Sequence, residues 1–528
     1  MTVRSLPGVM WATRMSAEQT VHLEVIPMSA TSATGPEAVH EIEETLQPVP
    51  EDARTKSVSG QFWIWCGANI APINWVLGAL GVHLGLSLVD TVLVLVVGNL
   101  IGMAVFGLFV LLGQKTGVTG MVLGRAAFGR RGNYLPATIQ GVLAVGWCAV
   151  NTWIILDLVM ALLAKLGWTD PDAAGNGWRI AVAAVIMAVQ VVISWIGYRA
   201  ISAFERWTVP PTIAVLLMMS VAAWFFLDID WSYAGPPGQV LAGGERIAAM
   251  TAVMTAIGIG WGITWFTYAA DYSRFVSRDM PRRRLYLAST LGQFVPVVWL
   301  GLLGASLATK NGAVDPGRLI VDNFGAMAIP VLLLVLHGPV ATNILNIYTF
   351  SVAAQALDIK LNRRVLNGLV GLLAMAAVVF LIYQENFAHV LDTWLIGLVA
   401  WVAAWGGIML VHYYRLERGE VRVDRLFDPV GSSRLADVNW AGIAAFGAGI
   451  AATWLFMYGL IPAFQGPMAV AMGGVDLSWL AGGLTSALVY AVLGPRAAHR
   501  HADVPDTSSA AAPGIGEPAA DPARPGAA

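Results

Sequence analysis

The sequence predicts an all-α polytopic membrane protein, and three observations carry that prediction. Of 528 residues, 57% are apolar and only 12% are charged. A soluble domain carries about 25% charged residues, so this chain cannot cover a water-facing surface. Apolar segments long enough to cross a bilayer, about 20 residues each, recur along the chain. The basic residues between those segments alternate in number from one loop to the next. The 21 tryptophans suit membrane interfaces and aromatic-lined cavities. The same composition speaks against a soluble enzyme. A net charge of −2 gives nucleic acid no electrostatic footprint. Cys66 and Cys148 both lie in apolar stretches and make a disulfide framework a poor fit.

Three regions are expected: a cytoplasmic N-terminal tail (1–60), a transmembrane transporter domain (61–496) and a cytoplasmic C-terminal tail (497–528). Residues 1–60 hold eight acids against four basic residues and read as disordered. The C-terminal tail, rich in Ala, Pro, Gly and Asp, reads the same way. No signal peptide is expected, because the first long apolar run starts near Gln61.

Twelve transmembrane helices are expected, at roughly 61–84, 87–112, 135–164, 179–197, 207–227, 247–273, 285–308, 326–356, 365–383, 389–411, 438–463 and 470–493. With the N-terminus inside, the internal loops hold 19 Lys and Arg, the external loops and span edges 5, and the tails 7, which places all 31. This asymmetry obeys the positive-inside rule and puts both termini in the cytoplasm. One missed or extra span would scramble the alternation.

Two spans are interrupted. The first contains Gly67-Ala68-Asn69-Ile70-Ala71-Pro72, and the sixth contains Gly258-Ile259-Gly260-Trp261-Gly262-Ile263-Thr264. Gly and Pro in mid-span weaken a helix and free backbone polar groups. The two spans are equivalent if spans 1–5 and 6–10 form a 5+5 inverted repeat with broken helices 1 and 6, plus two extra helices. Paired broken helices of this kind point to a midplane transport site. The competing explanation is that glycine allows close helix packing. No ATP site, HExxH-type metal motif or nucleophile elbow is found; Gly113-Gln114-Lys115-Thr116 lacks the adjacent Gly-Lys of a P-loop.

Six motifs in order resemble one family. They are Val49-Pro50-Glu51-Asp52-Ala53-Arg54-Thr55, Gly67-Ala68-Asn69, Gly124-Arg125-Ala126-Ala127-Phe128-Gly129, Gly146-Trp147-Cys148-Ala149-Val150-Asn151-Thr152, Trp265-Phe266-Thr267-Tyr268-Ala269-Ala270-Asp271-Tyr272 and Asn343-Ile344-Leu345-Asn346-Ile347-Tyr348-Thr349. Together they resemble the nucleobase:cation symporter-1 family, specifically its purine/cytosine permease branch. The resemblance implies a symporter, not an enzyme, that imports a purine base or cytosine with H+ or Na+ through the plasma (inner) membrane. Allantoin, a hydantoin or thiamine is the alternative cargo on the same fold. No cofactor is expected beyond the coupling cation.

Trp147 and Asn151 stand four apart and share one helical face. An indole stacks on a flat heteroaromatic ring, and an amide offers both a donor and an acceptor. The resemblance implies that both bind substrate, with Trp265 on the other face of the ring. Trp261, four residues earlier, competes for that role. Thr342, Asn343 and Asn346 cluster on one side of the eighth span. The resemblance favours Asn343 as the amide that reads the base, with Asn346 in reserve. Thr342 and Leu345 depart from the branch pattern, which often has another Asn and a Pro there. Gly67 and Ala68, in the first-span break, are expected to bind substrate as well. The freed carbonyl groups there, Ala68 among them, with the Thr342 hydroxyl make a candidate Na+ site. Asp157, inside the third span but off the Trp147/Asn151 face, is the candidate for proton coupling. His337 is a second titratable candidate. Asp271 and Arg274 are expected to pair at the end of the sixth span.

Overall fold

In a bilayer every backbone N–H and C=O needs a partner within its own segment, so the apolar runs must fold as helices. The computed structural model describes residues 46–169, 175–196, 198–312, 314–384, 387–432 and 434–502. Most of the two expected tails, 1–45 and 503–528, lies outside the described residues.

The first span is two helices, α1 (Val58–Asn69) and α2 (Ile73–His83), bent by 54°. Pro72 has no N–H to continue α1, so the helix stops there. Two amides cover the freed backbone. Asn69 Nδ2 donates to the Trp65 carbonyl at 2.8 Å, and Asn74 Nδ2 donates to the Asn69 carbonyl at 2.5 Å. Then follow α3 (Leu88–Thr116), α4 (Gly120–Phe128), α5 (Tyr134–Lys165), α6 (Asn176–Ile196) and α7 (Tyr198–Phe226).

The sixth segment starts as α8 (Gly243–Val253), widens to a π-helix over Met254–Ile259, and continues as α9 (Gly260–Thr264) and α10 (Phe266–Ser273). It is not unwound at Gly258–Thr264 as the glycines suggest. Gly258 and Gly262 face α3 instead, and Gly260 faces Val399. A Cβ on Gly98 would meet the Gly258 Cα at 2.6 Å, and one on Gly262 would meet the Gly102 Cα at 2.8 Å. Close backbone approach is the use of small residues here. The remaining helices are α11 (Arg282–Asn311), α12 (Pro316–Phe324), α13 (Ala328–Val335), α14 (His337–Ala356), α15 (Arg363–Ile382), α16 (Phe387–Leu410), α17 (Trp440–Phe456), α18 (Pro467–Ala471) and α19 (Ser478–Ala502). Among the described residues nine helical segments are long and apolar enough to cross a membrane; the α1–α2 pair makes a tenth, and Pro210–Phe226 and Trp440–Phe456 are shorter apolar helices.

Residues 46–60, expected within a disordered tail, dock onto the bundle. Arg54 is 6% exposed; its guanidinium donates to the Gln114 carbonyl at 2.8 Å and the Val49 carbonyl at 3.0 Å. The last carbonyls of α3 have no helical partner, and Arg54 supplies one. α19 likewise runs to Ala502, past the expected domain edge.

At the same end, Arg125 of α4 and Arg130 just after it, where the sequence suggests a loop, grip the segment that follows α14. Arg130 lies 2.6 Å from the Asp358 carboxylate, and buried Arg125 lies 3.8 Å from it. Burial pushes the Asp358 carboxyl up, but the Tyr134 hydroxyl and the Arg130 guanidinium outweigh it and hold it below the usual range. Asp271 accepts the Gly120 N–H at 2.9 Å, at the start of α4, while Arg274 donates to the Tyr348 hydroxyl at 3.0 Å.

Candidate functional site

Four elements converge on one buried cavity. The α1–α2 break contributes Ala68 and Ile73; α5 contributes Trp147 and Asn151; the sixth segment contributes Trp261, Thr264, Trp265 and Tyr268; α14 contributes Thr342 and Asn346. Trp147 and Asn151, Thr342 and Asn346, and Trp261, Thr264 and Tyr268 stand three or four apart, so each helix presents a stripe to the cavity.

The walls nearly meet. The free space, about 10 Å³, holds about one water. Trp147 and Trp261 stand edge to face, with ring centroids 5.4 Å apart and planes at 89°. The Trp265 ring stands 6.2 Å from Trp261 and 5.4 Å from Tyr268. Trp261 is anchored: its Nε1 donates to Asn69 Oδ1 at 3.0 Å, which ties the sixth segment to the first-span break.

Asn151 is the most informative residue of the lining. It is 1% exposed, and among the described residues neither its amide nitrogen nor its amide oxygen has a hydrogen-bond partner. An unsatisfied buried polar group costs about 1–3 kcal/mol. Asn151 therefore offers a donor and an acceptor to whatever enters the cavity.

The structure separates the two α14 amides. Asn346 lines the cavity and makes only long bonds: its Nδ2 donates to Asn343 Oδ1 at 3.4 Å, and its Oδ1 accepts from the Tyr268 hydroxyl at 3.3 Å. Asn343 is outside the lining. Its Nδ2 faces the Cys148 carbonyl at 3.1 Å, Thr152 Oγ1 at 3.1 Å and Gln190 Oε1 at 2.7 Å. Those bonds fasten α14 to α5 and α6. Gly67 is also outside the lining, in open space, with nothing within 4 Å of a built Cβ.

The Thr342 hydroxyl lies 3.0 Å from the Gly338 carbonyl and 3.4 Å from the Ala68 carbonyl. Three oxygens thus gather between α1 and α14, the chemistry a hard cation takes. Among the described residues no group of three or more His, Cys, Asp or Glu is placed to hold a metal. Asp157 is not part of the lining. Its Oδ2 accepts the Gly317 N–H at 2.7 Å, in the first turn of α12.

Sequence reasoning passed over Tyr268 and Trp394. Tyr268 stands three residues after Trp265, and that spacing was a usable signal. Trp394, on α16, backs Trp147 with centroids 6.3 Å apart, and nothing local marks it.

A family model described as "permease for cytosine/purines, uracil, thiamine, allantoin" matches residues 48–482. The chain belongs to that family. Its members are permeases, not enzymes. The chain is 26% identical over 462 residues to the YxlA protein of Bacillus subtilis, covering 86% of this chain and 96% of that one. It is 24% identical over 450 residues to the purine-cytosine permease fcyB of Emericella nidulans, covering 82% and 84%. The fold is shared with Mhp1, a nucleobase-cation-symport-1 family transporter solved closed with bromovinylhydantoin bound (TM-score 0.68, 18% identity, 86% of this chain and 95% of that chain).

Proposed function

We propose that this permease is a secondary active symporter importing a purine base or cytosine with a cation. The observation that carries the reading is an aromatic-walled cavity with the Asn151 amide, unpartnered among the described residues, in its wall. A nucleobase supplies a flat ring for the indoles and an edge of donors and acceptors for the amides. The base lies between Trp147 and Trp265, with Trp261 as the anchored end wall. Asn151 and Asn346 read its edge, Asn343 fixes Asn346, and Ala68 at the first-span break closes the site. The Ala68 carbonyl and the Thr342 hydroxyl are the first ligands for Na+ where Na+ is the coupling ion; H+ is the other candidate.

In this reading twelve spans, a 5+5 inverted repeat with two extra helices, place both termini in the cytoplasm of a cell whose plasma membrane holds the protein. Uptake of labelled adenine, hypoxanthine and cytosine, in a strain lacking base transporters and with or without Na+, tests it. Accumulation of at least one base against its gradient is expected. Accumulation only of allantoin, a hydantoin or thiamine would move the cargo to the alternative, which the Mhp1 ligand supports.

Asp157 acts in this proposal as a latch on α12 rather than as the coupling acid, because it holds Gly317 and is not part of the cavity lining. Asn keeps an acceptor oxygen, so Asp157→Asn should retain accumulation and its pH dependence. Loss of accumulation with base exchange preserved would return the coupling role to Asp157.

A further inference from the structure

A second cavity, of about 200 Å³, opens at the end of the molecule that carries most of the basic loops. It lies between the last turn of α3, the segment leading into α11 and the segment after α16. Gln114, Lys115, Arg278, Arg282, Val421 and Val423 line it. Half of these side chains are cations and none is an acid. Neither Lys115 nor Arg282 has an ion-pair partner among the described residues. The Arg278 backbone N–H donates to Glu51 Oε1 at 2.8 Å, while its guanidinium lies 3.8 Å from Glu51 Oε2, in an exposed pair. Exposed pairs contribute little, so most of the positive potential is left for a ligand.

The wall is built rather than accidental. The Gln114 amide donates to the Ser277 carbonyl at 2.8 Å and the Met280 carbonyl at 2.9 Å, which pins the Arg278 segment to α3. Arg282 also opens the 30-residue α11, whose N-cap Pro281 offers no side-chain acceptor, so free N–H groups add to the field.

The surroundings distinguish a lipid phosphate from a soluble one. Tyr286, one turn after Arg282, donates its hydroxyl to the Ala104 carbonyl at 2.7 Å, and Tyr414, 41% exposed, donates to the Leu108 carbonyl at 2.7 Å. Both carbonyls belong to α3, on the membrane side of Lys115. Tyrosines below and cations above are the arrangement found at headgroup depth. Basic pockets between spans at the cytoplasmic face take anionic headgroups. We propose that this cavity binds the phosphate of an anionic phospholipid, cradled by Lys115, Arg278 and Arg282.

Native mass spectrometry of the full-length protein, titrated with phosphatidylglycerol or phosphatidylcholine in detergent, tests this. One phosphatidylglycerol should be retained under conditions that strip phosphatidylcholine. Lys115→Gln/Arg282→Gln should weaken that retention about ten-fold or more, as loss of charged hydrogen bonds predicts. Arg283→Gln/Arg284→Gln, basic residues outside the cavity, should leave it unchanged. If the double variant does not fold, the single variants Lys115→Gln and Arg282→Gln are measured, each with a several-fold loss expected. Equal loss in the control pair, retention in the cavity variants, or displacement of the lipid by inorganic phosphate at equal concentration would each overturn the proposal.

Discussion

Asn151→Leu should make the folded protein more stable and its base binding weaker. Leucine keeps the branched outline of asparagine, with the same number of side-chain heavy atoms, but removes two buried polar atoms that have no hydrogen-bond partner among the described residues. Relief of that penalty should raise stability by about 1–3 kcal/mol. Loss of edge hydrogen bonds should weaken base affinity by roughly ten- to a hundred-fold, about 1.4–3 kcal/mol. The ranking among bases should change too, because hydrogen bonds read an edge. Asn343→Ala is the contrast. It removes the shared donor to Gln190, Thr152 and Cys148 and the acceptor that holds Asn346, so it should lower stability by about 1–3 kcal/mol and shift the ranking less than Asn151→Leu does. Thermal unfolding and calorimetric titration with adenine, hypoxanthine and cytosine measure both. An Asn151→Leu protein that binds every base like the parent would remove Asn151 from the site.

The helical class and the first-span break were legible because each has a local physical cause. Apolar runs leave no soluble alternative, and Pro72 cannot continue a helix. The sixth segment was ambiguous for a physical reason. Unwinding and close packing both call for glycine, and only the neighbouring Gly98 and Gly102 decide between them. Arg54 misled in the opposite sense. It sits in a polar stretch that reads as disordered, yet the free carbonyls at the end of α3 bury it.

Which α14 amide reaches the cavity was not legible either. Three residues on a helix turn a side chain by about 300°, close enough that Asn343 and Asn346 share a side but not a direction. Gln190, on α6 and far off in sequence, takes the first and leaves the second for the cavity. Trp394 enters by tertiary packing alone.

Trp147→Ala should weaken binding of every base by a similar factor. Trp147 makes no hydrogen bond among the described residues, and it meets Trp261 and Trp394 only edge to face. Trp261, by contrast, is tied to Asn69. A cavity with room for about one water must widen to admit a base, and Trp147 and Trp265, whose indoles make no hydrogen bond among the described residues, are the walls free to move. Stacking contributes roughly 0.5–1.5 kcal/mol beyond the area it buries, so its loss should cost about ten-fold in affinity. Trp147→Phe should recover part of it. Trp261→Phe should act differently. It breaks the link to the first-span break, so it should slow transport more than it weakens binding. Equilibrium binding and initial uptake rates, measured on the same variants after their folding is confirmed, separate the two effects. If Trp147→Ala reorders the bases while Asn151→Leu shifts them all alike, the aromatic wall reads the substrate and the amide merely holds it.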